Sequence, residues 1–425
     1  MSESKNNNVE PSTWRFVAKR SCEAVAAYMK EWDRETKEKV SQGEPLIVAD
    51  VLTPHEILEA MDIPYVLRAF GVTVLKDWLY PTLFTEKGNE HLPDFLTGKE
   101  HDLFGQCGSC GKAWSNLWKL PKITALILDE GVCSGDAKAD ELWLGGYDAP
   151  VFRLEATATP PFYPRYPGWW EKIKDHWDEM IDPYRLDYRV EELKALIKFL
   201  ENVTGKTLKQ DRFLEVMELV NETQEYFRRA RNLIAETVPC PSGLLDQIYI
   251  YQLQWHRGTP EVRDLAKLYY EEVKEKVEKG EGICQDEKLR IQWVKMQYIW
   301  YGDPVLYQQF EEKYGAVFVA SLYLSVGADG YTRNYLDDPL RALAGRHLFL
   351  GLYAGPDWDI NEARRHGADG AVMMGGGICP SAHGVLKTTK LAYEAAGIPL
   401  LFIEPPWTEE KVRSEITDFI ETRLI

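Results

Sequence analysis

No stretch of this 425-residue sequence stays apolar for the roughly 18–20 residues that a bilayer crossing requires. The opening residues, MSESKNNNVEPST, are polar and lack the apolar centre of a signal peptide. The expectation is a soluble, cytoplasmic chain with no membrane association. Positive charge is in deficit: 50 Lys and Arg stand against 67 Asp and Glu, a net of −17. A surface of that sign repels phosphate backbones and argues against nucleic acid as a partner, leaving room only for a local basic pocket. Cysteine is sparse and odd in number, with seven in all: Cys22, Cys107, Cys110, Cys133, Cys240, Cys284 and Cys379. An odd count in a large intracellular chain argues against a disulfide framework, so the thiols are core filler, metal ligands or nucleophiles.

Apolar and aromatic residues are plentiful, 45% and 12% of the chain, enough for two or three packed domains and incompatible with global disorder. Short β-branched runs recur: Pro45–Val51, Ile123–Asp129, Pro150–Glu155, Leu289–Val294, Ala316–Leu324, Gly370–Met374 and Pro399–Glu404. Helical patterns separate several of them, which predicts parallel sheets covered on both faces. After a polar start, residues 14–42 read as a charged amphipathic helix. Thr53, Pro54 and Glu56 form a capping-box pattern at the head of a second helix. Between about 165 and 285 strand signals fade. Leu193, Leu196, Ile197 and Leu200 follow helical spacing up to Gly205, and Val262, Ala266, Tyr269, Val273 and Val277 do so up to Gly280. The expected class is α/β, two Rossmann-like parallel-sheet units with a helical insert. Its boundaries fall at 1–45 (tail and helix), 46–164 (first α/β domain), 165–285 (insert) and 286–425 (second α/β domain).

One internal repeat carries the chemistry. ITALILD-EGVC-SGDAKADELWLGGYDAP-VFRLE ends at Glu155, and DGAVMM-GGGIC-PSAHGVLKTTKLAYEAAGIP-LLFIE ends at Glu404. Each has a buried strand, a glycine-bearing turn, a cysteine, a helix, a proline and a strand ending in glutamate. Cys133 and Cys379 therefore fill equivalent places, just past a strand end and at a helix N-terminus. Open parallel sheets keep their ligand crevices there, and helix dipoles favour thiolates there. Either both are core cysteines or both are ligands, and the shared position favours the second. FGQC-GSC-GKAWSNLW adds Cys107 and Cys110 in a third glycine-flanked setting. A lone C-x-x-C serves redox pairs, zinc and iron–sulfur clusters alike. Structural zinc usually brings a second such pair, and none follows. Three cysteines at strand–helix turns suit a [4Fe–4S] cluster with one iron open, though spacing alone does not separate this from three unrelated thiols.

From about Pro45 onward the sequence resembles the subunits of 2-hydroxyacyl-CoA dehydratases and ATP-dependent benzoyl-CoA reductases. The matching features, in order, are TPHEILEAM, a first cluster cysteine, LILDEGVCSG, a helical middle, LRIQWVKMQYIWYGDP followed by EKYGAVFVASLY, and GGGICPSAHG…AAGIPLLFIE. RGTPEVRDLAKLYYEEVKEKVEKGEG and ASLYLSVGADGYTRNYLDDPLRALAG are most similar to the larger active-site subunit of benzoyl-CoA reductase. The resemblance implies a [4Fe–4S] cluster on Cys133, Cys379 and Cys107, with Cys110 as rival for the third place. It also implies an acyl-CoA substrate, a smaller homologous subunit and an ATP-hydrolysing iron–sulfur activator. In a reductase the low-potential electron enters an aromatic ring, whereas in a dehydratase a ketyl radical expels a β-positioned leaving group. The expectation adopted is the reductase subunit. The alternatives are a (R)-2-hydroxyacyl-CoA dehydratase subunit or a non-catalytic scaffold of the same fold.

Several other residues have two readings. Glu56 is an acid/base or polar contact, or a cap for its helix. His383 is a proton donor or a solvent-facing histidine. Ser381 lies near substrate and equally suits a helix cap. Tyr298, Trp300 and Tyr301, with Trp293, wall a flat acyl pocket or belong to ordinary core. Arg364 and Arg365 suit CoA phosphates or a solvated helix face. Cys22, Cys240 and Cys284 are read as packing residues.

Overall fold

The computed structural model describes residues 16–49, 53–67, 122–129, 148–155, 170, 176–294, 305–320, 337–349, 356–374, 380–404 and 408–425. Two four-stranded parallel sheets carry the fold. The first contains β1 (Ile47–Ala49), β2 (Tyr65–Leu67), β3 (Ala125–Asp129) and β4 (Val151–Leu154), in the spatial order β2-β1-β3-β4. The second contains β5 (Leu289–Trp293), β6 (Ala316–Ala320), β7 (Gly370–Met374) and β8 (Leu400–Ile403), in the order β6-β5-β7-β8. Every pairing among them is parallel. The strand residues of β1, β5 and β7 are all buried, as a doubly covered sheet requires, Arg290 and Gln292 of β5 included. The sequence does not announce β2: three residues after Pro64 are too few for a periodicity signal.

The two sheets share one winding. In each, the second strand lies on one side of the first and the third and fourth lie on the other. The internal repeat is thereby explained, because β3–β4 and β7–β8 are the same half of the same order. The switch points are β1/β3 and β5/β7, where neighbouring strands lead to strands on opposite sides, the place at which open parallel sheets keep their ligand crevices.

Helices run between and around the strands. The first, α1 (Lys19–Ser41), precedes β1, and α2 (His55–Ala60) follows it. The helical middle contains α3 (Pro183–Thr204), α4 (Gln210–Glu236), α5 (Leu244–Tyr251), a tight turn over Gln252–His256, and α6 (Pro260–Lys279). In α3, Leu193, Leu196 and Leu200 are buried; in α6, Val262, Ala266, Tyr269 and Val273 are. The stripes read from the spacing thus face the core. Gly205 and Gly280 end these helices at φ 71° and 65°, left-handed closures that only glycine adopts without cost. Exposed pairs such as Lys267–Glu271 and Lys274–Glu278 occupy the outer face of α6. The second sheet is accompanied by α7 (Val305–Tyr314), α8 (Pro339–Phe349), α9 (Pro356–Arg365), α10 (Pro380–Ala396) and α11 (Glu409–Phe419).

The helical middle shares a core with both sheets. One contiguous apolar cluster joins Ile47 and Ile127 of the first sheet, Leu193 and Met217 of α3 and α4, and Ile291, Phe318 and Met374 of the second. Burial on this scale, about 25 cal/mol per Å², is the main favourable term holding the three parts together. Polar contacts add direction. The Arg290 guanidinium at β5 donates to the carbonyls of Ala235 in the last turn of α4 and Thr237 just after it, and to that of His366.

Candidate functional site

The connection after β1 begins at the first switch point and leads into α2. Thr53, His55 and Glu56 are buried there without measurable exposure. The expected capping box does not form. The α2 helix starts one residue later, after Pro54, with no side-chain cap hydrogen bond, because the Glu56 carboxylate has a stronger partner than a backbone amide. That partner is Arg257, between the turn over Gln252–His256 and α6. Its Nε donates to Glu56 Oε1 at 2.6 Å and its Nη2 to Oε2 at 3.1 Å, a two-pronged pair. The same guanidinium donates to the carbonyls of Gln254 (2.7 Å) and Thr53 (3.2 Å), and its Nη1 lies 3.1 Å from His55 Nδ1. The His55 ring stacks on Tyr65 of β2 at 5.2 Å, and the Tyr65 hydroxyl donates to the Trp255 carbonyl at 2.7 Å.

A second cation approaches from another part of the chain: Arg346 of α8 places Nη1 4.0 Å from Glu56 Oε1. Burial alone raises the Glu56 pKa, but Arg257 first and Arg346 second outweigh it and hold the carboxyl at about 2. Glu56 is therefore a fixed anion and not a proton donor at neutral pH. The chain leaves Arg257 through a step that only glycine fits: Gly258 takes φ 101°, and a Cβ there would stand 2.7 Å from Val216 Cγ1.

Other expected site residues divide by position. Ser381 and His383 belong to the first turn of α10, immediately after Cys379, with their side chains outside the described residues. Cys107, Cys110, Cys133, Cys379, Tyr298, Trp300 and Tyr301 also lie outside them. Their strands do not: β3 ends four residues before Cys133 and β7 ends five before Cys379, each at the switch point of its sheet. Trp293 is core, packed edge-on against Tyr307 and tilted against Phe318 at the end of β5. Arg365 bonds Asn232 of α4.

The three described cysteines behave as packing residues. Burial raises the Cys240 thiol to about 12, and its Sγ donates to the Ser242 carbonyl at 3.2 Å. Burial, then Asp246, push Cys22 up in the same direction. Cys284 is half-buried, its Sγ 3.6 Å from the Glu311 carbonyl. Burial thus disfavours the thiolate form at Cys22 and Cys240. Among the described residues no group of three or more His, Cys, Asp or Glu is disposed to hold a metal.

Sequence reasoning missed Arg257 and Arg346. The signal was present in both cases: Arg257 is the one charged residue of the run QIYIYQLQWHRGTP, and Arg346 interrupts ALAGRHLFLGL. A lone arginine in an apolar run implies a buried anion to meet it.

Residues 50–422 match the family described as 2-hydroxyglutaryl-CoA dehydratase, D-component. The chain belongs to that family. It is also similar to the (R)-2-hydroxyisocaproyl-CoA dehydratase alpha subunit of Clostridioides difficile, with 27% identity over 165 residues. That match covers 38% of this chain and 39% of the relative, so the chain spans about two fifths of the length of the curated protein it resembles. Among the described residues no helix is long and apolar enough to cross a membrane.

Proposed function

We propose that this chain is a subunit of a (R)-2-hydroxyacyl-CoA dehydratase, a lyase that removes water from a CoA thioester by way of a one-electron reduction. The observation that carries the reading is the family match across residues 50–422, in which both the family and the similar alpha subunit bear dehydratase names. That support favours the dehydratase alternative over the benzoyl-CoA reductase subunit preferred from the sequence, whose motifs both groups share. A smaller homologous subunit and an ATP-hydrolysing iron–sulfur activator complete the proposed system.

Cys133, Cys379 and Cys107, with Cys110 as the rival for the third position, would hold a [4Fe–4S] cluster. When bound, the cluster supplies the low-potential electron that the carbonyl of a thioester must accept. The chain's own residues orient and shield. The shared winding of the two sheets supports this reading, because β3 and β7, the strands that precede Cys133 and Cys379, hold equivalent places in the two orders. Tyr298, Trp300 and Tyr301 would exclude water from a flat acyl group. His383, four residues after Cys379, would carry a proton to or from the substrate, and Ser381 would contact the substrate. Glu56, ionised and paired, acts as a fixed polar contact.

Iron and acid-labile sulfide should be measured on protein purified without oxygen. About four of each per chain are expected in the parent. Cys133→Ala and Cys379→Ala should each lose them together with dehydration activity. Full iron content in both variants would overturn the ligand assignment, and iron-free parent protein would return the chain to the scaffold reading.

A further inference from the structure

Glu56 stands where three parts of the chain meet. It belongs to α2, which follows the first sheet's switch-point strand. Arg257 comes from the helical middle, and Arg346 from α8, between β6 and β7 of the second sheet. All three are at least nine-tenths buried. Each neighbour is itself immobilised. The Arg257 guanidinium is tied to the Gln254 and Thr53 carbonyls. Gly345, next to Arg346, packs so closely on the Trp177 ring that a Cβ would lie 2.1 Å from it. Arg341 of the same helix pairs with Asp187 of α3 at 2.5 Å.

We infer that Arg257 is a positioning residue, and that with Glu56 and Arg346 it forms a joint fixing the β1–α2 turn, the edge of the first crevice, against the second unit. The inference rests on the proposed site, to which both sheets contribute a cysteine turn. The fork of the guanidinium sets its geometry: two donors grip Glu56 while Nη2 also reaches the Thr53 carbonyl, so the helix and the turn before it are held by one plane. A lysine keeps the charge and loses that plane. An ion pair used only for stability would be a poor choice here, because burying charges costs about as much as pairing them returns. A shared anion between cations from two other parts of the chain does, however, specify one relative placement.

The test uses the assembled enzyme with Arg257→Lys, Arg346→Met and, as a control, Arg263→Met, which removes a surface partner of Glu222. Hydrogen exchange of the 53–67 segment should quicken about tenfold or more in the first two variants and stay at the parental rate in the control. Dehydration activity, normalised to the EPR spins of the reduced cluster, should show kcat lower by about 10- to 100-fold with KM within about twofold, the pattern of misplacement rather than lost binding. Arg346→Lys should restore most of both. Parental exchange rates in both variants would overturn the joint. Faster exchange with unchanged kcat per spin would overturn its positioning role. Parent protein without cluster or activity would remove the proposed function, while the exchange rates would still decide whether the joint exists.

Discussion

Two buried residues, Arg257 and His256, adjoin in sequence and answer to different physics. Arg257 is charged and matched, so removing it strands Glu56 as a buried anion. Arg257→Met should cost about 3–5 kcal/mol in urea unfolding, and the double change Glu56→Gln with Arg257→Met should cost less than Arg257→Met alone. Additive losses would show that the pair is not coupled. His256 is neutral, and among the described residues neither ring nitrogen has a hydrogen-bond partner. It sits against the edges of Trp32 and Tyr28, and burial lowers its pKa to about 3. Acid protonates the unfolded chain at His256 first, so this residue's contribution to stability falls as pH drops from about 6.5 toward 3. His256→Phe should be neutral or stabilising at pH 7.5 and should lose less stability than the parent between pH 7 and 4. Parallel profiles would contradict the burial account. Neither role was visible in the sequence, which shows that Arg257 and His256 lie in an apolar run but not which groups meet them from 200 residues away.

The elements were more legible, because periodicity is local and these elements keep it. The α3 and α6 stripes and their glycine stops, and seven of the eight strands among the described residues, follow from spacing and β-branched runs. What failed was decided at long range. The helix after β1 begins without its capping box, and its Glu56 pairs instead with Arg257 from 201 residues away. The N-terminal helix also depends on distant carboxylates. Asp246 accepts from the Val17 and Ala18 amides, both at 3.1 Å, and Glu272 from the Arg20 and Ser21 amides at 3.1 and 2.7 Å. These two carboxylates cap α1 in place of local residues, and no pattern near residue 18 encodes them. Asp246→Asn should cost about 1–2 kcal/mol and expose α1 to proteases first. Burial raises the Asp246 pKa to about 6 against the hydrogen bonds it accepts, Ala18 foremost. The folded parent therefore takes up a proton between pH 6 and 3.8 before the unfolded chain does and gains stability there. The asparagine variant lacks that gain, so its loss of stability in acid should be steeper. An identical slope would contradict the assignment.

For the whole molecule, the repeat was legible as a cysteine unit, and the two β2-β1-β3-β4-type orders give it a structural meaning. Charge and the absence of long apolar runs narrow the partners, and the family match turns a shared motif order toward dehydration. The sequence did not separate ring reduction from water loss, since the motifs that carry the resemblance are common to both groups. Product analysis separates them. The chain should be assembled anaerobically with its smaller partner and activator, supplied with ATP and a low-potential reductant, and offered a (R)-2-hydroxyacyl-CoA and benzoyl-CoA in parallel. The account predicts formation of the 2-enoyl-CoA and an unchanged benzoyl-CoA. Consumption of benzoyl-CoA to a ring-reduced thioester, with the hydroxyacyl-CoA untouched, would contradict it.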